Sequence, residues 1–302
     1  MLIIFCLLFI IVCMRYGVID IGSNSVRLMV SEEFDRIYKK INTTGLGRGL
    51  ALTGELKEEN MLVTANAVET FYREAQKDGC WAIYVFATEA VRSAKNRSVF
   101  IDMLKAKGID VDIVESKNEA KLGFYGAYTK GRVCVMDIGG ASTELAVGDE
   151  KGLEYALSRP VGLVRIFDNC GENLSKINEY VDGIIKGYGT LPEFDQVLSI
   201  GGTASTFVAI AENMKVYDPV RVDMYKLTKK TVDEITAYIH SLSLDERLKI
   251  NGLEPKRREV IVGGGRLLSR LMDYLKRDCI TVRESDNQEG YLKYKKGLFA
   301  FE

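Results

Sequence analysis

Residues 18–30 read VIDIGSNSVRLMV, and residues 135–147 read VMDIGGASTELAV. Aligned without a gap, seven of the thirteen pairs are identical: Val18/Val135, Asp20/Asp137, Ile21/Ile138, Gly22/Gly139, Ser25/Ser142, Leu28/Leu145 and Val30/Val147. Each copy is an apolar run that reaches an aspartate, turns through glycine and small polar residues, and leaves on a second apolar run. That pattern predicts two strands joined by a tight turn. Because the same hairpin opens each half of the chain, the sequence predicts a duplicated α/β architecture, two similar domains on either side of a cleft.

The segments around the hairpins agree with that reading. ENMLVTANAVETFYREAQKDG has helical spacing and stops at Gly79; WAIYVFAT reads as a buried strand, SVFIDMLKAKG as a short helix and VDIVES as another strand. After the second hairpin, a helix around NLSKINEYVDGIIKGYG, the strand QVLSIGGT, helices near TVDEITAYIHSL and REVIVGGGRLLSRLMDYLKRD, and the strand CITVRES follow. Alternating strands and helices place both halves in the α/β class. Gly263–Gly265 fall inside a helical pattern, where close helix packing explains them.

Composition narrows the function. Charged residues make up 27% of the chain, hydrophobic ones 47%, and the net charge is -1, a globular profile without a basic field for nucleic acid or an anionic membrane. The six cysteines include no C-x-x-C pair, which fits reduced thiols in a cytoplasmic enzyme. One histidine, His240, excludes a multi-histidine metal site, and its place in an ordinary helical pattern argues against a Ser-His-Asp triad. Residues 1–13, MLIIFCLLFIIVC, are too short for a membrane span and lack the charged start and cleavage site of a secretory signal. They read as a mis-assigned start ahead of Met14, with a weak anchor as the alternative, and no stable membrane association is expected.

The chemistry of one hairpin follows from its residue types. An aspartate ends a strand, glycine lets the backbone turn, and small hydroxyl and amide residues line the concavity, an arrangement that cradles an anion. A carboxylate beside a phosphate implies a cation between them, and hard oxygen ligands near phosphates suit Mg²⁺. Two hairpins facing each other would grip a polyphosphate and its metal from both sides. The phosphate-binding candidates are Gly22, Ser23, Asn24 and Ser25 in the first copy, and Gly139, Gly140, Ala141, Ser142 and Thr143 in the second. A third glycine turn, Gly201, Gly202 and Thr203 in LSIGGTAST, adds a weaker candidate of the same form. The copies differ where Arg27 aligns with Glu144, so only the second adds another carboxylate suited to metal.

In order along the chain, VIDIGSNSVRL, FATEAVRSAKN, ESKNEAKLGFYGA, VMDIGGASTEL and LSIGGTAST resemble the exopolyphosphatase and guanosine pentaphosphate phosphohydrolase family of the actin/sugar kinase/Hsp70 superfamily. The resemblance runs from about Tyr16 to about Gly290. It implies two domains of the actin-like ATPase (ribonuclease H-like) type: 14–128, and 129–302 with its last helix packing back on the first. It implies Glu119 as the general base that deprotonates the attacking water, and Arg92 as the clamp on the terminal phosphoryl group. Asp137 and Glu144 are implied as Mg²⁺ ligands, with Asp20 as the weaker third. The implied substrate is inorganic polyphosphate or a guanosine polyphosphate, with no nucleic-acid polymer; a homodimer is left open.

Three places depart from the family pattern. Ala141 stands where a third glycine is usual and would be strained if the turn needed positive φ. Gln288, in VRESDNQEGYL, replaces an arginine, and Asp223 occupies a position where many members carry histidine. Two other functions compete: an ATP-dependent kinase of the same superfamily, which gives no account of the Arg92 and Glu119 motifs, and a non-catalytic polyphosphate or nucleotide sensor.

Overall fold

The structure, a computed structural model, describes residues 14–301. The apolar leader at 1–13 lies outside the described residues. Among the described residues, no helix is long and apolar enough to cross a membrane.

Two mixed sheets form the frame. In the first, β1 (Arg15–Ile21), β2 (Ser25–Glu32) and β3 (Asp35–Thr43) make an antiparallel meander, to which β4 (Ala82–Ala87) and β5 (Asp112–Ile113) add in parallel; the order is β3-β2-β1-β4-β5. The second repeats the plan. The strands β6 (Val133–Ile138), β7 (Thr143–Asp149) and β8 (Gly152–Arg159) form the meander, and β9 (Gln196–Ile200) and β11 (Cys279–Val282) extend it in parallel, with β10 (Lys226–Thr228) as an antiparallel edge. The repeated hairpins are β1-β2 and β6-β7. Their alternating apolar residues face separate cores, one around Ile19, Val26, Leu28 and Val68, the other around Met136, Leu145, Phe207 and Leu268.

The central strands of each sheet are buried almost throughout, as expected of strands covered on both faces. By contrast, β3 (DRIYKKINT) and β8 (GLEYALSR) are half-exposed edges, built from polar and aliphatic residues without a continuous apolar run. The VDIVES segment forms only the two-residue β5, because the chain turns at once into the helix Ser116–Ala127.

Two helices join the halves by crossing between them. The Ser116–Ala127 helix follows the first sheet in sequence, yet its Ala120, Phe124 and Ala127 pack on Val133, Val135 and Leu198 of the second. The Asn287–Lys295 helix does the reverse: Tyr291 and Leu292 pack on Tyr16, Val18 and Phe86 of the first. The helices meet backbone to backbone. A Cβ at Gly126 would lie 1.9 Å from the Asp286 carbonyl oxygen, and one at Gly290 would lie 2.0 Å from that of Leu122, so only glycine fits either position. The other glycine run is also a packing device: a Cβ at Gly265 would meet Thr236 Oγ1 at 2.1 Å and Phe207 Cζ at 2.5 Å.

Candidate active site

Both hairpin turns close with the same hydrogen bond, Gly22 N–H to Ser25 O at 3.1 Å and Gly139 N–H to Ser142 O at 3.0 Å. The turns face each other and touch: a Cβ at Gly140 would lie 2.9 Å from Ser23 Cβ and 3.1 Å from the Asn24 amide nitrogen. In each hairpin the strand-end aspartate stands opposite one residue of the return strand, Asp20 opposite Arg27 and Asp137 opposite Glu144. Opposite residues in an antiparallel pair share a face, so the substitution of Arg by Glu between the copies changes the charge beside the aspartate.

The third glycine turn completes the floor. Gly201 has φ +85°, and a Cβ there would sit 2.5 Å from Asp137 Oδ1; one at Gly202 would sit 2.4 Å from the Arg257 guanidinium. These glycines let a carboxylate and an arginine approach the backbone at the start of the helix Gly202–Ala211.

Together these loops enclose a cavity of about 60 Å³. Of the sequence-predicted residues, Asp20, Gly22, Ser23, Asn24, Ser25, Glu119, Asp137, Gly139, Gly140, Ser142, Gly202 and Thr203 line it. Others turn elsewhere. Thr143 donates its hydroxyl to the Val161 carbonyl, and the lining residue Thr203 donates its own to Ile138 O at 3.1 Å, so both hydroxyls serve the fold. Ala141 is not among the described residues with positive φ, and the strain considered for it does not arise.

Arg92 stands behind the cleft wall rather than on it. Its guanidinium donates to Glu119 Oε2 at 3.0 Å, to Glu89 Oε2 at 2.6 Å and to the Val114 carbonyl. In this arrangement it holds the Glu119 carboxylate in place. Glu89 is tied in turn to Arg165, whose Nη2 donates to it at 3.2 Å and whose Nε donates to Ala141 O at 2.9 Å, linking the two halves across the cleft.

The cleft concentrates buried acids. Burial raises Asp20 to about 7, helped by Asp286 and Asp137 and opposed by Arg27. Burial likewise raises Glu119 to about 7, with Arg92 opposing and Asp137 and Asp20 adding. Asp137 stands at about 6 by burial, and Glu144 is well above its usual range by burial and repulsion from Glu119 and Asp137. Carboxylates so placed repel one another, and an added cation would favour their ionised forms.

The donor set fits Mg²⁺. Asp20 Oδ1 and Asn24 Oδ1 are buried side-chain oxygens without a hydrogen-bond partner, and both residues line the cavity. Hard oxygen donors in a small cavity beside hairpin turns of the anion-cradling kind suit a magnesium ion that keeps several waters. Among the described residues, however, no three acidic, histidine or cysteine side chains form a metal-holding group. Glu144 does not line the cavity and accepts from Ser158 Oγ at 2.6 Å. The geometry therefore favours one or two carboxylates, Asp20 and Asp137, over the three-carboxylate set expected from the sequence.

Two cations on the cavity wall escaped the sequence reading as site residues. Arg257, in the polar loop EPKRREV, looks like a solvated basic run, yet it is 5% exposed. Among the described residues its one ion pair is with Glu254 at 3.1 Å, and burial, with Arg27 nearby, lowers its pKa. A buried guanidinium so weakly neutralised is suited to an incoming anion. Arg27 is the other. Asn287 is a third missed residue: its Nδ2 donates to Asp137 Oδ2 at 2.8 Å, orienting that carboxylate.

Two sheets of repeated order, paired hairpin turns and a carboxylate-rich anion cleft between them define a protein of the actin-like α/β class. The model of the Ppx/GppA phosphatase family matches residues 25–296, and the chain belongs to that family, as its five motifs imply. Exopolyphosphatase 2 of Mycobacterium tuberculosis is 25% identical, over 91% of this chain and 97% of that protein. A bifunctional 3-dehydroquinate synthase/phosphatase of Fusobacterium nucleatum is 31% identical over 90% of this chain; the match spans 45% of that longer protein. The solved structure of the Aquifex aeolicus family member superposes with a TM-score of 0.74 at 26% identity, covering 92% of this chain and 96% of that one.

Proposed function

We infer that the chain is a phosphoanhydride hydrolase that releases terminal phosphate from inorganic polyphosphate, from a guanosine pentaphosphate, or from both, with Mg²⁺ and water. One observation carries this reading. A single cavity juxtaposes an under-neutralised buried arginine, Arg257, with a buried glutamate, Glu119, that titrates at about 7. The arginine is the partner of a phosphate; the glutamate is a base matched to neutral pH.

In this mechanism the hairpin turns, with Ser23, Asn24 and Ser142, hold the terminal phosphoryl group, and Arg257 neutralises charge developing on its oxygens. Glu119, fixed by Arg92, accepts a proton from the attacking water. Asp20 and Asp137, the latter steadied by Asn287, would hold the magnesium ion, which supplies charge neutralisation on the phosphate oxygens when bound. Phosphoryl transfer asks mainly for positioning and electrostatics, and the lack of a histidine in the cleft is no obstacle.

The test is phosphate release from polyphosphate, pppGpp and ATP, each with Mg²⁺ or with EDTA. The reading expects metal-dependent release from at least one of the first two without any acceptor. Release from neither, or release untouched by EDTA, overturns it; binding without release would favour a sensor.

A further inference from the structure

The phosphate cleft opens into a second cavity of about 440 Å³, and Arg27, Gly202 and Arg257 line both. Ile41, Met214, Leu253 and Pro255 supply apolar wall to this outer cavity, which is large enough for a small organic group. A substrate chain that continues outward from the cleft would pass Arg27 and then Lys39. Both cations are already taken by one residue. Asp286 Oδ2 accepts from Arg27 Nη1 at 3.1 Å, and its Oδ1 accepts from Lys39 Nζ at 2.8 Å. Lys39 also donates to Glu289 Oε2 at 2.7 Å.

The remaining basic wall does not replace them. Arg283 is committed to Asp223 Oδ1 at 2.8 Å and to Ala127 O at 3.0 Å, while Lys40 and Lys215 are exposed. Asp286 itself is 7% exposed, so water does little to screen its pairing. Beyond the weakly neutralised Arg257, the buried cations of the passage are thus already paired, and the exposed lysines are screened by water.

Resting on the hydrolase reading above, we propose that Asp286 is a specificity-determining residue. It neutralises Arg27 and Lys39 where the cleft meets the outer cavity, so the site prefers a short phosphate chain, alone or followed by an organic group, over a long polyanion.

Asp286 also caps the Asn287–Lys295 helix, accepting from Gln288 N–H at 3.0 Å. Asparagine caps as well as aspartate, so Asp286→Asn removes the charge and keeps the cap. The experiment compares the wild type, Asp286→Asn and Asp286→Glu on tripolyphosphate, long-chain polyphosphate and pppGpp. Assayed at about pH 8 with saturating Mg²⁺, where Asp20 and Asp137 are ionised in both proteins, Asp286→Asn is expected to lower KM for long-chain polyphosphate about tenfold while kcat stays within about threefold, with KM for the two short substrates also within about threefold. Asp286→Glu is expected to retain wild-type discrimination. Equal shifts on all three substrates, or none, overturn the proposal. Should the asparagine variant not fold, Asp286→Ser caps equally well and carries the same test. Calorimetric binding of long-chain polyphosphate reads the charge filter without turnover. Tighter binding by Asp286→Asn in a protein that releases no phosphate would overturn the hydrolase reading and leave the filter standing.

Discussion

Replacing Glu119 by glutamine should make the ligand-free protein more stable at alkaline pH. The glutamate is buried, and burial with repulsion from Asp137 and Asp20 outweighs its pairing with Arg92, raising its pKa from 4.5 to about 7. Each unit of displacement corresponds to about 1.4 kcal/mol between the protonation states. The folded protein holds this proton more tightly than the unfolded chain does. The contribution is therefore fully present below pH 4.5 and is lost as pH rises through about 7. Glutamine mimics the protonated acid and has nothing to lose, so the variant should be more stable by about 3 kcal/mol at about pH 8 and equal to wild type at about pH 4. Arg92 is not orphaned by the change, because Glu89 remains 2.6 Å away. Urea midpoints at the two pH values, in EDTA and without phosphate, measure the difference. A variant that is no more stable at about pH 8, or equally stabilised at both, would refute the claim that the buried charge is a net cost awaiting its ligands.

Three further outcomes follow from the same geometry. The rate kcat/KM should rise with pH through an acid limb near 7, since Glu119 must be deprotonated to act as base; a profile flat from pH 5 to 8 would remove it from that role. Arg257→Ala should lower kcat/KM by about 100-fold or more, whereas Arg258→Ala should change it little, both read by phosphate release. Gly290→Ala should prevent folding or cost several kcal/mol, because its Cβ would lie 2.0 Å from the Leu122 carbonyl oxygen; circular dichroism with urea titration would detect it.

The doubled hairpin was legible because its signal is local: alternating apolar residues, a strand-end aspartate and a glycine turn, written twice. That was enough to anticipate two α/β halves and most of the residues that line the cleft. The meander edges β3 and β8 were not legible, since a half-exposed edge strand such as DRIYKKINT carries polar residues on much of its surface. Arg257 illustrates a different limit. In EPKRREV it cannot be told from Lys256 and Arg258 beside it, and only the fold shows that Arg257 is buried against Gly202. Arg92 is the converse case, a motif residue whose place behind Glu119 is fixed by contacts 22 and 27 residues away. Asp286 and Asn287 likewise acquire meaning only when the last helix crosses back to meet Arg27, Lys39 and Asp137.

In the proposed mechanism Glu119 is the base that activates water in a cleft that binds phosphate. Single-turnover phosphate release by Glu119→Gln, measured beside calorimetric binding of the same polyphosphate or pppGpp with Mg²⁺, separates the two roles. Release reduced by at least about 100-fold with binding retained is the predicted result. Near-normal release by the glutamine variant would contradict it.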